Sequence, residues 1–179
     1  TQYIAGKGLY PHDELPGFYD FVYDRTPKEI VDSFTYRDGH VYQIPRKANP
    51  VMVAYNVNLL KENGIDPRSL LTYSGFLKAA EKMAKDTDGD GRIDQWLYSP
   101  SIDVTWWQRF FDFYTLYIAA SGGKTLLDSR GRVAFEGDAA VEVFTFLKTL
   151  FDKKLVPKGA LIGDQFLGGR IATTITGPY

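Results

Sequence analysis

The run Asp86-Thr87-Asp88-Gly89-Asp90-Gly91-Arg92-Ile93-Asp94 sets carboxylates at alternating positions in a short stretch broken by glycines. Alternating Asp side chains in a tight loop converge on one point, and calcium takes about six to eight oxygens. Numbered as an EF-type loop, Asp86, Asp88, Asp90 and Asp94 fall at positions 1, 3, 5 and 9, and Gly91 falls at position 6, where the chain turns sharply. Arg92 at position 7 would offer its backbone carbonyl, and Ile93 at position 8 would anchor the loop to a core. At position 12 Leu97 replaces the bidentate glutamate, so Gln95 or a distant carboxylate would have to complete the shell. The other reading is a solvated helix-to-strand turn with an acidic surface. A bound Ca²⁺ would be structural, because no histidine or second carboxylate cluster joins the loop as metal catalysis would need.

The remaining chemistry is carried by aromatic rings. Of 179 residues, 15% are aromatic, from twelve Tyr, twelve Phe and three Trp. That much flat area serves either a core or a ligand cleft. A net charge of -1 supplies no basic field for nucleic acid. No run of ~18 apolar residues exists, as a spanning helix would need. The absence of cysteine rules out disulfides, thiolate catalysis and Cys-ligated zinc. Thr1 is not an initiator Met, and the chain stops where a strand ends, so a trimmed or truncated polypeptide is expected.

The elements that would position these groups can be read in order. Residues 1–25 are rich in Gly, Pro and Tyr and lack periodicity, so an irregular segment with at most a helical turn is expected. Thr26 as N-cap, Pro27 at N1 and Glu29 at N3 predict a helix that ends near Tyr36. Asp38-Gly39 is a turn, and residues 40–45 and 51–56 are extended. A short helix ends at Gly64, Thr72 caps a helix over 73–85 with Phe76, Leu77, Ala80 and Ala84 on one face, and a strand surrounds residues 95–99. An aromatic helix over 104–121 carries a polar stripe of Gln108, Asp112 and Thr115. A short strand near 132–136 precedes a helix over 138–153 with Ala140, Phe144, Leu147 and Phe151 inward. A helical turn and a strand over 170–176 close the chain. Helices separated by short strands favour an α/β fold with a small mixed sheet.

In order, YQIP (42–45), AYN (54–56), LLKENGID (59–66), the segment 71–96, a Trp-rich helix ending in SGG (121–123), VEVFTFLKTLFDKKLVP (141–157) and FLGGRIATTITGPY (166–179) resemble the carbohydrate-type extracellular solute-binding proteins of ABC importers, the group that includes maltodextrin-binding proteins. The resemblance covers residues ~38–179 well and 1–37 weakly, through the order and spacing of the motifs rather than any one of them. It implies a helix-rich lobe of a two-lobed, type II periplasmic-binding-protein-like α/β clamp. Residues 1–44 would be the end of lobe 1 and the hinge approach. Residues 45–179 would be the continuous part of lobe 2, with the first hinge crossing at Ile44 to Tyr55. Family members often start the helix after this motif Thr-Trp-Asp-Glu-Phe. Here Gly75 replaces the Glu of that capping box, so a weaker start is expected.

The resemblance also nominates ligand residues. A sugar needs flat aromatics for its C–H faces and planar polar groups for its hydroxyls. Tyr179, in place of the Trp of a Gly-Pro-Trp motif, is the stacking candidate; a core tyrosine at a strand end is the plain alternative. Trp106 and Trp107 open the aromatic helix, where family members contact sugar, and their directions diverge by ~100°, so only one would face ligand. Asp103 could accept hydroxyls or cap that helix. Asn49 falls where maltodextrin-type members place a sugar-contacting polar residue. Arg46 hints at an anionic or polyhydroxylated ligand, though a loop arginine is usually just solvated. His12 and His40 read as surface residues.

The function implied is capture of a sugar or oligosaccharide by hinge closure and delivery to ABC permease subunits in the membrane, without chemistry. The location implied is extracytoplasmic, in a periplasm or on a cell-surface lipoprotein, with no nucleic-acid partner. Two other readings compete. A carbohydrate-active enzyme fragment could use two carboxylates, but no nucleophile motif, phosphate loop or catalytic His pair is present. A calcium-stabilised interaction module would account for the acidic loop alone.

Overall fold

The computed structural model describes residues 2–46, 50–100, 113–128, 130–159 and 161–177. The chain divides into two compact units, residues 1–49 and residues 50–179. Among the described residues no helix is long and apolar enough to cross a membrane.

In the first unit, the segment expected to be irregular holds α1 (Gln2–Ala5), a 3₁₀ turn (His12–Glu14) and α2 (Phe18–Tyr23). Phe18 and Val22 of α2 pack with Val31 and Val41 into a small core. The next helix, α3 (Lys28–Asp32), starts one residue later than Thr26 and Pro27 suggest. Pro27 is itself the N-cap, extended at ψ 139, and no side chain caps the start. α3 also ends early: Ser33 Oγ donates to Ile30 O at 2.6 Å, and the chain turns through Asp38-Gly39. Gly39 holds φ 89, a value that favours glycine. The extended segment expected over 40–45 contributes only one bridge, Thr35 to Val41.

The second unit holds the larger core. β1 (Met52–Tyr55) pairs antiparallel with β2 (Thr173–Thr176), with Met52 opposite Thr176 and Tyr55 opposite Thr173. The chain leading into β2 also takes a parallel neighbour, since Trp96 bridges Ile171 and Thr173 N donates to Leu97 O at 2.7 Å. The sheet itself is two-stranded and antiparallel rather than mixed, and the predicted strand over 95–99 is reduced to this isolated parallel bridge beside it. Among the described residues Thr173 is the buried polar one, and its Oγ1 donates to Leu97 O at 2.8 Å.

Three side-chain caps follow one another, of which the sequence reading names Thr72. Asn56 Oδ1 accepts from Leu59 N at 3.1 Å and starts α4 (Val57–Glu62). Asp66 Oδ1 accepts from Arg68 N and starts a 3₁₀ segment (Pro67–Leu71). Thr72 Oγ1 accepts from Gly75 N at 3.1 Å and starts α5 (Tyr73–Met83). Each cap satisfies one orphan donor of its helix start. α5 buries Ala79, Ala80 and Met83, with Phe76, Leu77 and Ala84 packed at the edge of the same core.

α6 (Phe113–Ala120) is the described part of the aromatic helix, and it packs on α7 (Asp138–Asp152). Between them the strand expected near 132–136 is reduced to a bridge between Leu127 and Val133. On α7 the buried stripe is Ala140, Val143, Phe146 and Leu150. Phe144, expected inward, is 54% exposed. The buried face is rotated from the predicted one toward positions 143, 146 and 150, which puts Leu147 and Phe151 at the margin of the core instead of its centre.

Candidate functional site

The acidic loop is closed at its base by a backbone bridge between Lys85 and Gln95. Asp86 accepts both loop glycine amides, Gly89 N and Gly91 N, each at 2.7 Å. Asp88 Oδ1 accepts from Asp90 N at 3.1 Å, and Asp90 Oδ1 from Arg92 N at 2.8 Å. Each carboxylate thus bends the chain behind it. Gly89 and Gly91 take φ 81 and 85, which the sharp reversal requires. Ligand oxygens of Asp86, Asp88 and Asp90 lie within 4.8 Å of one another, and all three side chains are exposed. The amides of Gly91 and Gly89 hold the Asp86 carboxyl below its usual range, so it stays ionised.

Asp94 stands apart from that cluster. Its oxygens accept from Thr87 N at 3.0 Å and from Thr87 Oγ1 at 2.8 and 2.9 Å, clasping the loop across its neck. Gln95 donates its amide to Gly169 O at 3.1 Å, and Leu97 at the twelfth position is fully buried in the core. The donors brought together are three exposed carboxylates, with hard oxygens of the kind calcium or magnesium takes. A carboxylate oxygen has two acceptor sites, so accepting one amide leaves room for a cation. The Thr87–Asp94 clasp was not legible as such, although Thr at loop position 2 facing Asp at position 9 is its only sequence trace.

A second feature of this unit is an apolar cavity of about 450 Å³. Tyr73, Phe76 and Phe146 form one wall, and Val53 and Ile175 come from the sheet. The exposed Glu142 stands at its edge. The three rings are occupied with one another: Tyr73 stacks on Phe146 at 4.5 Å between centroids, and Phe76 meets Phe146 edge-on at 5.6 Å.

Of the sugar-site candidates, Arg46 is described and is exposed. Asn49, Asp103, Trp106, Trp107 and Tyr179 lie outside the described residues.

In the first unit His40 does more than a surface residue. Its Nδ1 pairs with Asp13 Oδ2 at 2.9 Å, while Asp13 Oδ1 accepts from Val41 N at 2.9 Å and His12 N donates to Val41 O at 2.7 Å. The hydrogen bond to Asp13 raises the imidazole above its ordinary 6.5. Partial burial works against the Asp13 carboxylate, but the Val41 amide and His40 together bring it below 3.8. His40's contribution to stability is therefore complete below 6.5 and is lost as pH rises through its raised folded value. That of Asp13 is complete above 3.8 and is lost as pH falls through its depressed one. Protection of the Val41 amide from hydrogen exchange, relative to His40→Gln at the same pH, should be largest between those two values. It should vanish in alkali, and equal protection in both proteins at every pH would dismiss the clasp.

The family model described as bacterial extracellular solute-binding protein matches residues 1–164. An uncharacterized protein from Listeria monocytogenes EGD-e shares the fold with a TM-score of 0.82 at 30% identity, over 99% of this chain and 42% of that one. An ABC transporter associated binding protein from B. animalis subsp. lactis Bl-04, solved in complex with beta-1,6-galactobiose, gives 0.67 at 27% identity, over 98% and 42%. An ABC substrate-binding protein from Listeria monocytogenes, solved in complex with cycloalternan, gives 0.64 at 25% identity, over 97% and 44%. No curated protein sequence matches the chain. The chain thus spans less than half the length of these structures.

Proposed function

Because the chain belongs to the family of bacterial extracellular solute-binding proteins, we propose that it is part of an extracytoplasmic protein that captures a sugar or oligosaccharide and delivers it to an ABC permease in the membrane. The observation that carries this reading is the fold it shares with two binding proteins solved around sugars. The family and these neighbours are binding proteins rather than enzymes, and on this reading the solute leaves unchanged. Residues 1–44 then belong to one lobe and the hinge approach, and 45–179 to the other. Tyr179 and one of Trp106 and Trp107 stack on the sugar, with Asn49, Asp103 and Arg46 as hydroxyl partners. The protein works in a periplasm or as a cell-surface lipoprotein.

The test is a thermal-shift panel of sugars on the full-length polypeptide, with product analysis. One sugar at a hundredfold excess over its Kd stabilises by about 2.7 kcal/mol, and it is recovered intact. A panel that leaves the midpoint unmoved, or a sugar that is cleaved, refutes the reading.

Calcium fits the acidic loop as a structural ion. Asp86, Asp88 and Asp90 would hold it, with Arg92 lending its carbonyl and Asp94 bracing the neck through Thr87. Such an ion offsets two of the three negative charges crowded there and stiffens the turn. Added Ca²⁺ should raise the thermal midpoint of the chain, and Asp88→Ala should abolish the rise. A rise retained in Asp88→Ala would mean that the ion binds elsewhere, and no rise in either protein would leave the loop a solvated turn.

A further inference from the structure

α4 ends in Asn63-Gly64, where Gly64 takes φ 59. Among the asparagines of the chain, only Asn63 is followed by glycine. A glycine neighbour is the least hindered setting for attack of a backbone nitrogen on an asparagine side chain. The structure ties down every group that this reaction needs. Asn63 Nδ2 donates to Leu59 O at 2.8 Å, and Asn63 Oδ1 accepts from Lys85 Nζ. The Gly64 N–H donates to Lys61 O at 3.0 Å. Asn63 holds ψ 7, which swings the Gly64 nitrogen away from the side chain it would have to approach.

We propose that Asn63-Gly64 is a deamidation site kept silent by the fold, with the Lys85 ammonium as the latch that holds the amide away from attack. When the latch opens, solvent base takes the Gly64 amide proton and the nitrogen attacks Cγ of Asn63. The N–Cγ bond forms, the Cγ–Nδ2 bond breaks, and ammonia leaves with a proton. Water then opens the cyclic imide at either carbonyl, giving aspartate or isoaspartate at position 63. Isoaspartate adds a methylene to the backbone just before Gly64. It would spoil the closing bond from Ile65 N to Leu60 O, 2.9 Å, which seats the buried Ile65. Lys85 also bridges Gln95 at the base of the acidic loop, so the same event would free its side chain there.

Opening of this kind is local and far less demanding than global unfolding. Lys85 is exposed, so Lys85→Met should fold, while Lys85→Arg keeps a donor. The chain and its variants are aged at mildly alkaline pH, and the peptide containing residue 63 is followed by its mass increase and its isoaspartate content. The native chain should deamidate at Asn63 more slowly than the urea-unfolded chain. Lys85→Met should react roughly threefold to tenfold faster than the parent, the change one exposed charge-assisted hydrogen bond supports. Lys85→Arg and Lys78→Met should match the parent. Equal rates in the native and unfolded chains, no acceleration in Lys85→Met, or the same acceleration in Lys78→Met would each overturn the assignment.

Discussion

Gly75→Ala lowers the stability of the 50–179 unit by about 2 kcal/mol, although alanine is the better helix former. A Cβ built on Gly75 would lie 2.0 Å from Ser69 O and 3.0 Å from Thr72 Oγ1. The first contact is with backbone, so no side-chain rotation relieves it. The 3₁₀ segment from Pro67 to Leu71 would have to lift off α5. Overpacking of this kind costs about 1–3 kcal/mol and sometimes more. The helix-propensity gain of alanine over glycine returns only about 1 kcal/mol, so the clash wins. Gly75→Glu sharpens the point. It restores the capping-box residue that the sequence lacks, and it should still destabilise. Urea unfolding of both variants, with the exposed Ser74→Ala as a control, measures the effect. If Gly75→Glu proved as stable as the parent, the close approach of Ser69 would be wrong.

That reversal shows what could be read from the chain and what could not. Local signals were dependable where one residue acts on its near neighbours. Thr72 caps α5 as read, and Gly64 ends α4, while Asn56 and Asp66 cap the segments after them by the same local chemistry without having been singled out. The acidic loop was legible because its three converging carboxylates alternate within five consecutive residues, 86–90. Thr26 failed as a cap because Pro27, extended in the loop before α3, already serves as the N-cap. Gly75 was read as a missing glutamate because the sequence does not show that the segment four to eight residues earlier folds back onto it. The His40–Asp13 pair joins residues 27 apart, and no local pattern announces such a contact. The aromatic and polar residues nominated for sugar rest on resemblance, since their geometry depends on segments that meet across the fold.

The phase of α7 gives the second large effect. Ala140, Phe144, Leu147 and Phe151 and the observed Ala140, Val143, Phe146 and Leu150 both follow helical spacing, so periodicity alone does not choose between them. The packing does. Phe146 is 6% exposed, stacks on Tyr73 and meets Phe76 edge-on, joining α7 to α5. Phe144 is 54% exposed and, among the described residues, stacks on the Phe113 ring at 4.5 Å. Truncating a buried phenylalanine removes its transfer free energy and leaves a cavity, about 3–5 kcal/mol together. Truncating the exposed one forfeits an aromatic pair of about 0.5–1.5 kcal/mol. Phe146→Ala should therefore destabilise the chain severalfold more than Phe144→Ala in urea unfolding. A Tyr73→Leu background should reduce the Phe146 effect by the stacking share alone, because the volume at position 73 is largely kept. Equal losses at 144 and 146 would mean that α7 presents the other face to the core, and the aromatic junction between α5 and α7 would have to be redrawn around Phe144.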